Sequence, residues 1–121
     1  MKPIHLQKNR MCKPIFIKTM KSLRKILPED ILYIECEVSV CWLFLTDGTN
    51  LVCTKPLNYF EALLSDCGFV TISRSLLVNI RHIREIFTAG PKKVICELVN
   101  GVRLPVSYRK WRALKARLLQ E

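Results

Sequence analysis

Apolar residues recur along this chain mostly at every second position, which predicts strands, and in two places at helical spacing. Ile15-Phe16-Ile17 and Leu23–Leu27 flank a polar stretch over Thr19–Ser22 and predict a hairpin. Pro28-Glu29-Asp30 breaks the chain, and two strand-like runs follow, Ile31–Cys36 and Val40–Leu45. Asp47-Gly48 then turns the chain into Leu51–Cys53, because glycine takes the positive φ that a tight hairpin requires. The period changes next. Leu57, Phe60 and Leu64 fall at i, i+3 and i+7, with Thr54 as a cap, Pro56 in the first turn and Gly68 as the stop. Phe69–Ile72 is strand-like again, whereas Ser73–Glu85 mixes small polar, apolar and basic residues without a period. Val94–Leu98 and Val102–Val106 predict a third hairpin, about Asn100-Gly101. A final helix follows Ser107 as its cap, with Tyr108, Trp111, Leu114 and Leu118 as its apolar stripe. The fold class is mostly β, with one short central helix and one basic C-terminal helix.

The chain has 121 residues, a length that predicts one domain and is enough to bury a core. Half of the residues are apolar and a quarter charged, so disorder is excluded as a description of the whole. The charge balance changes the picture. Twenty Lys and Arg against ten Asp and Glu give a formal charge of +10, which favours polyanionic partners. The first acid is Glu29, so Lys2, Lys8, Arg10, Lys13, Lys18, Lys21, Arg24 and Lys25 stand unopposed before it. Residues 1–13 read as a basic N-terminal tail, mobile until a partner orders it, and residues 14–121 as the domain.

Cysteines stand at 12, 36, 41, 53, 67 and 96 without metal-ligand spacing, mostly among apolar neighbours where a free thiol is a small hydrophobe. The opening residues lack the apolar core of a signal peptide. Val38–Leu45 is far shorter than a membrane helix. The expectation is a cytoplasmic, reduced protein without membrane contact or cofactor.

Catalysis finds little support. His5 and His82 are far apart, and His82 reads as a structural histidine or a phosphate contact rather than a base. Glu35 and Glu37 share a strand face, but on a run that looks like a sheet edge. Four glycines cannot build a phosphate-binding loop of either common type. The chain is not expected to be an enzyme.

Three stretches remain distinctive: Asp30-Ile31-Leu32-Tyr33-Ile34-Glu35, then Ser73-Arg74-Ser75-Leu76-Leu77-Val78-Asn79 with Ile83, then Asn100-Gly101 with Leu104-Pro105-Val106-Ser107-Tyr108-Arg109. With Asp47-Gly48, Leu57 and Phe69 in between, this ordered set resembles the LytTR DNA-binding domain over about residues 14–119. The resemblance implies a bacterial-type transcription regulator with an elongated arrangement of short antiparallel sheets. Loops, rather than a recognition helix, would enter successive major grooves of double-stranded DNA. By position, Arg74 and Arg109 would read bases, with Ser39 and Val40 from the Val38–Val40 loop. An Arg fork matches the two acceptors of a guanine edge. Ser73, Ser75, Arg81, Ser107, Lys110 and Arg112 would hold phosphates. Ser75 and Asn79 have a second reading, as partners for the backbone of an irregular strand, and Arg117 as a solvated face residue.

The chain departs from the family pattern at Val38-Ser39-Val40, where many members carry Gly-Asp-Tyr, and at Ser73, where a His is common. The recognised DNA sequence therefore does not carry over. No receiver domain accompanies these motifs, so the expected partners are duplex DNA, a second copy on repeated half-sites and a signalling protein supplied in trans. The competing reading is a small basic interaction module that docks an acidic protein or an anionic lipid surface.

Overall fold

The computed structural model describes residues 12–119, so most of the basic N-terminal tail lies outside the described residues. A first hairpin pairs β1 (Ile15–Lys18) with β2 (Leu23–Ile26) across the turn read from Thr19–Ser22. After a 3-10 turn at Pro28–Asp30, β3 (Ile31–Glu37), β4 (Val40–Leu45) and β5 (Asn50–Cys53) form a meander. Helix α1 (Leu57–Leu63) leads to β6 (Phe69–Ser73) and β7 (Leu76–Asn79), and β7 returns to pair with β3. A second 3-10 turn at Ile80–His82 precedes β8 (Ile83–Thr88), β9 (Val94–Leu98) and β10 (Arg103–Val106), and helix α2 (Tyr108–Leu119) closes the chain. The fold is mostly β, built from antiparallel sheets of two, five and three strands.

The five-stranded sheet, in the order β5-β4-β3-β7-β6, has a core on each face. On one face Ile34, Leu43 and Leu77 meet Ile15, Ile17 and Ile26 of the first hairpin and Phe60 and Leu64 of the α1 region. On the other, Leu32, Val70, Ile72 and Val78 meet Val94, Cys96, Leu98, Leu104 and Val106 of the three-stranded sheet and Leu114 of α2. Strands covered on both faces lose the alternation of apolar and polar residues, and all four residues of β7 are buried.

Several expectations are corrected here. β3 is not a sheet edge; it lies between β4 and β7, with Glu35 and Glu37 exposed. Ser73–Glu85 is not irregular but holds β7, a 3-10 turn and the start of β8. Thr54 does not cap α1: Pro56 occupies the N-cap position without a side-chain bond, and its carbonyl accepts from Tyr59 N at 3.1 Å. The helix ends at Leu63, before Gly68, which instead turns the chain into β6 at φ +77°. Tyr108 is exposed, so the buried stripe of α2 consists of Leu114 with Trp111 and Leu118 half-buried beside it.

The cysteines are not all free. Cys36 and Cys41 are disulfide-bonded, being direct partners in the β3–β4 ladder, one pair below the Glu37–Val40 pair that closes the turn. Cys12, the first described residue, donates its Sγ hydrogen to the Asp66 carbonyl at 3.3 Å. Burial pushes the Cys67 thiol up to about 12 and the Cys96 thiol up to about 11, which keeps both protonated and poor nucleophiles.

The two-residue β3–β4 turn carries a local strain. Val38 has φ +59°, a region that a β-branched residue rarely enters, because its Cβ crowds the backbone there. It is also 90% exposed, so no packing contact offsets the strain. Val38→Gly is expected to raise stability by about 0.5–1 kcal/mol in urea unfolding, since glycine adopts this conformation freely. A loss of stability would show that the turn is held by something other than its backbone preference.

Candidate nucleic-acid interface

The motif residues are far apart along the chain, and the sheet registers bring most of them to one end. β3 and β7 are antiparallel, with Glu35 opposite Leu76, so β3 runs out into Val38-Ser39 where Arg74-Ser75 lead into β7. Cys36 N donates to Ser75 O at 2.9 Å, which ties the β3–β4 turn to the β6–β7 turn. The third segment arrives through an irregularity in β6. Thr71 pairs with Leu77 and Ser73 with Leu76, so Ile72 is an extra residue without a ladder partner. Its carbonyl accepts from Ser107 N at 2.7 Å, which seats the β10–α2 junction beside the β6–β7 turn.

Three segments thus share one edge: Val38–Val40, Ser73–Ser75 and Ser107–Arg109. Arg74 and Arg109 are exposed, and neither takes part in an ion pair among the described residues. Ser39 is exposed, while Val40 is half-buried as the first residue of β4. Ser73 Oγ accepts from Ser75 N at 3.2 Å and lies 3.4 Å from Ser75 Oγ, so the two serines brace the turn that carries Arg74. Ser107 is half-buried directly before α2, and its carbonyl accepts from Lys110 N at 3.0 Å. The first turn of α2 holds Arg109 and Lys110 and no acid, and Arg112 follows exposed. Unpaired N–H groups at a helix start favour anions. Glu37, the last residue of β3, is exposed next to the β3–β4 turn and brings a carboxylate to the same end of the sheet.

Other expected residues lie elsewhere. Arg81 is exposed in the 3-10 turn beyond the far end of β7, with the length of that strand between it and Arg74. Asn79 is structural: 2% exposed, it donates Nδ2 hydrogens to the carbonyls of Pro28 at 3.3 Å and Ile31 at 3.0 Å, and its Oδ1 accepts from Arg81 N at 3.0 Å. His82 Nε2 lies 2.7 Å from the Glu29 carbonyl and fastens the same end. The residue that sequence reasoning missed is Ile72. It looks like any strand residue, and only the register reveals that its carbonyl is free to hold Ser107.

Among the described residues no group of three or more His, Cys, Asp and Glu could hold a metal ion. No helix there is long and apolar enough to cross a membrane.

Comparison with known proteins supplies the family and the fold. The family model of the LytTr DNA-binding domain matches residues 21–119. Over 63 residues the chain is 33% identical to the transcriptional regulatory protein LytR of Staphylococcus aureus strain MW2, and equally to that of strain N315. That match covers 52% of this chain but 26% of the relatives, so it spans about a quarter of their length. A LytTr DNA-binding domain from Bacillus cereus shares the fold, with a TM-score of 0.76 at 23% identity, over 87% of this chain and 95% of that one. The family match covers most of the chain, includes all three segments of the cationic edge, and leads to one conclusion: the chain belongs to the LytTR family of DNA-binding domains.

Proposed function

We propose that residues 14–121 bind double-stranded DNA sequence-specifically in the cytoplasm and regulate transcription. The carrying observation is that three separated motif segments meet at one edge, joined by the Cys36–Ser75 and Ile72–Ser107 backbone bonds, with two exposed arginines outside any described ion pair. Arg74 and Arg109 read base edges in successive major grooves, with Ser39 and Val40 contributing from the Val38–Val40 segment beside them. Ser73, Ser75, Ser107, Lys110 and Arg112 hold phosphates and so set register. Arg81, at the other end of β7, adds only to the long-range field. A second copy occupies a repeated half-site, and a separate signalling protein supplies the input.

Selection of duplexes from a random library tests this reading, followed by titration of the winner and a scrambled duplex at two salt concentrations. The expected result is one recovered motif, bound at least ~10³-fold better than the scramble. If no motif emerges and affinity simply collapses with salt, only net charge is acting and specific readout is excluded. Tighter binding to acidic peptides or anionic vesicles than to duplex DNA at equal salt would favour the small interaction module instead.

A further inference from the structure

The first hairpin presents a face that the DNA reading does not use. Ile15 lies opposite Ile26, and both are buried with Ile17 against the five-stranded sheet. The intervening pairs, Phe16 opposite Lys25 and Lys18 opposite Leu23, therefore point the other way. Phe16 is 55% exposed and Leu23 65%, and Met20 at the turn between the strands is fully exposed. Lys18, Lys21 and Lys25 are exposed around them, and no acid occurs anywhere before Glu29. Apolar and cationic side chains thus alternate diagonally over one exposed face among the described residues. The family match begins at residue 21, so Phe16, Lys18 and Met20 precede it.

The position of this face matters as much as its composition. Arg24–Leu27 line one hollow with Asp30, Leu45, Thr46 and Asp47, at the start of β3 and the end of β4. The β3–β4 and β6–β7 turns lie at the opposite end of those strands. Arg24–Leu27 thus lie at the other end of β3 and β4 from the edge that carries Arg74.

We propose that this hairpin face docks on an anionic phospholipid surface. Each other occupant satisfies only half of its chemistry. Phosphates of DNA would take the lysines and leave Phe16, Met20 and Leu23 in water. A second copy would take the apolar side chains and set lysine against lysine. A folded acidic protein would seat a partner element in a groove, whereas here the most exposed apolar residue, Met20, stands at a protruding turn. A bilayer surface accepts both, with apolar side chains in the acyl boundary and ammonium groups at the headgroups. The proposal departs from the sequence expectation of no membrane contact at this one face only.

The proposal is tested with the full chain and two vesicle preparations, phosphatidylcholine alone and phosphatidylcholine doped with phosphatidylserine. Co-sedimentation is expected with the doped vesicles only, and it should persist with saturating duplex bound. The combined Phe16→Ser, Met20→Ser and Leu23→Ser variant should partition at least about tenfold more weakly, and Met20→Ser alone about threefold, at unchanged affinity for the selected duplex. Met20 is fully exposed, so that single variant stays informative if the combined one unfolds. Three results would overturn the proposal. They are vesicle binding indifferent to all three substitutions, displacement of the protein from vesicles by duplex, and capture by a polyglutamate peptide rather than vesicles with the same dependence on Phe16, Met20 and Leu23.

Discussion

Arg74→Ala is expected to weaken binding to the selected duplex by about fivefold to about 150-fold, equivalent to about 1–3 kcal/mol, while a scrambled duplex loses far less. The asymmetry follows from what the side chain does. A guanidinium on a base edge makes two directed bonds that the wrong base cannot return, whereas a guanidinium on a phosphate acts on every sequence alike. The turn that carries Arg74 is braced: Ser73 and Ser75 stand on either side, and Ser75 O is tied back to Cys36 N. The arginine therefore projects from a fixed base, which lowers the entropy lost on binding. Arg109→Ala should behave in the same way, because Ser107 N holds its segment to Ile72 O. Lys110→Ala and Arg112→Ala supply the contrast. Each should weaken both duplexes by a similar factor and reduce the salt dependence by about one released counterion. Titration of four variants against two duplexes at two salt concentrations separates these roles. Equal losses on both duplexes for Arg74→Ala would remove it from base readout without touching DNA binding itself.

The parts of the fold legible in the sequence are those set by local chemistry. Asp47-Gly48 and Asn100-Gly101 mark their hairpins because positive φ has few tenants, and both glycines adopt it, at +89° and +94°. Pro28 breaks the chain where its ring must. Tertiary context decided the rest. Leu76-Leu77-Val78 shows no alternation because β7 is buried on both faces, so the chain's most enclosed strand read as irregular. β3 read as an edge for the same reason, since nothing in a single strand tells how many neighbours it has. The Cys36–Cys41 bond depends on register across a two-residue turn and not on any spacing rule. Tyr108 fits the helical stripe by spacing, but it sits in the first turn of α2, beyond the surface that Leu114 and Trp111 cover.

The candidate site divides along the same line. Its residue types, in order, carry the family resemblance, so Arg74, Arg109 and their flanking serines were legible as a set. Their convergence was not. It rests on the β3–β7 register and on one extra residue in β6, and both are long-range facts. Arg81 illustrates the cost of reading along the chain: a few residues from Ser75 in sequence, it is separated from it by the whole of β7.

The largest stability effect is expected at Asn79, which the sequence left between a DNA contact and a backbone partner. The structure places it at the junction of β3, β6 and β7, 2% exposed, with all of its polar atoms engaged. Asn79→Ala removes two donors from the Pro28 and Ile31 carbonyls and one acceptor from Arg81 N, and it leaves a cavity. Pro28 O retains the backbone bond from Ile31 N, so the loss is concentrated on the other two groups. Leaving buried backbone groups unpaired costs about 1–3 kcal/mol each, and a total of about 2–4 kcal/mol is expected. A domain of this length is stable by only about 6–18 kcal/mol, so Tm should fall by about 10 °C. Asn79→Asp should be worse than alanine, because it turns a carboxylate oxygen toward two carbonyls where Nδ2 donated. Below the transition, both variants should bind the selected duplex as tightly as the parent, since Asn79 lies at the end of β7 remote from Arg74. Denaturant unfolding with duplex titration decides it. A loss of DNA affinity at unchanged stability would return Asn79 to the interface, and a small stability change would mean that water replaces its three bonds.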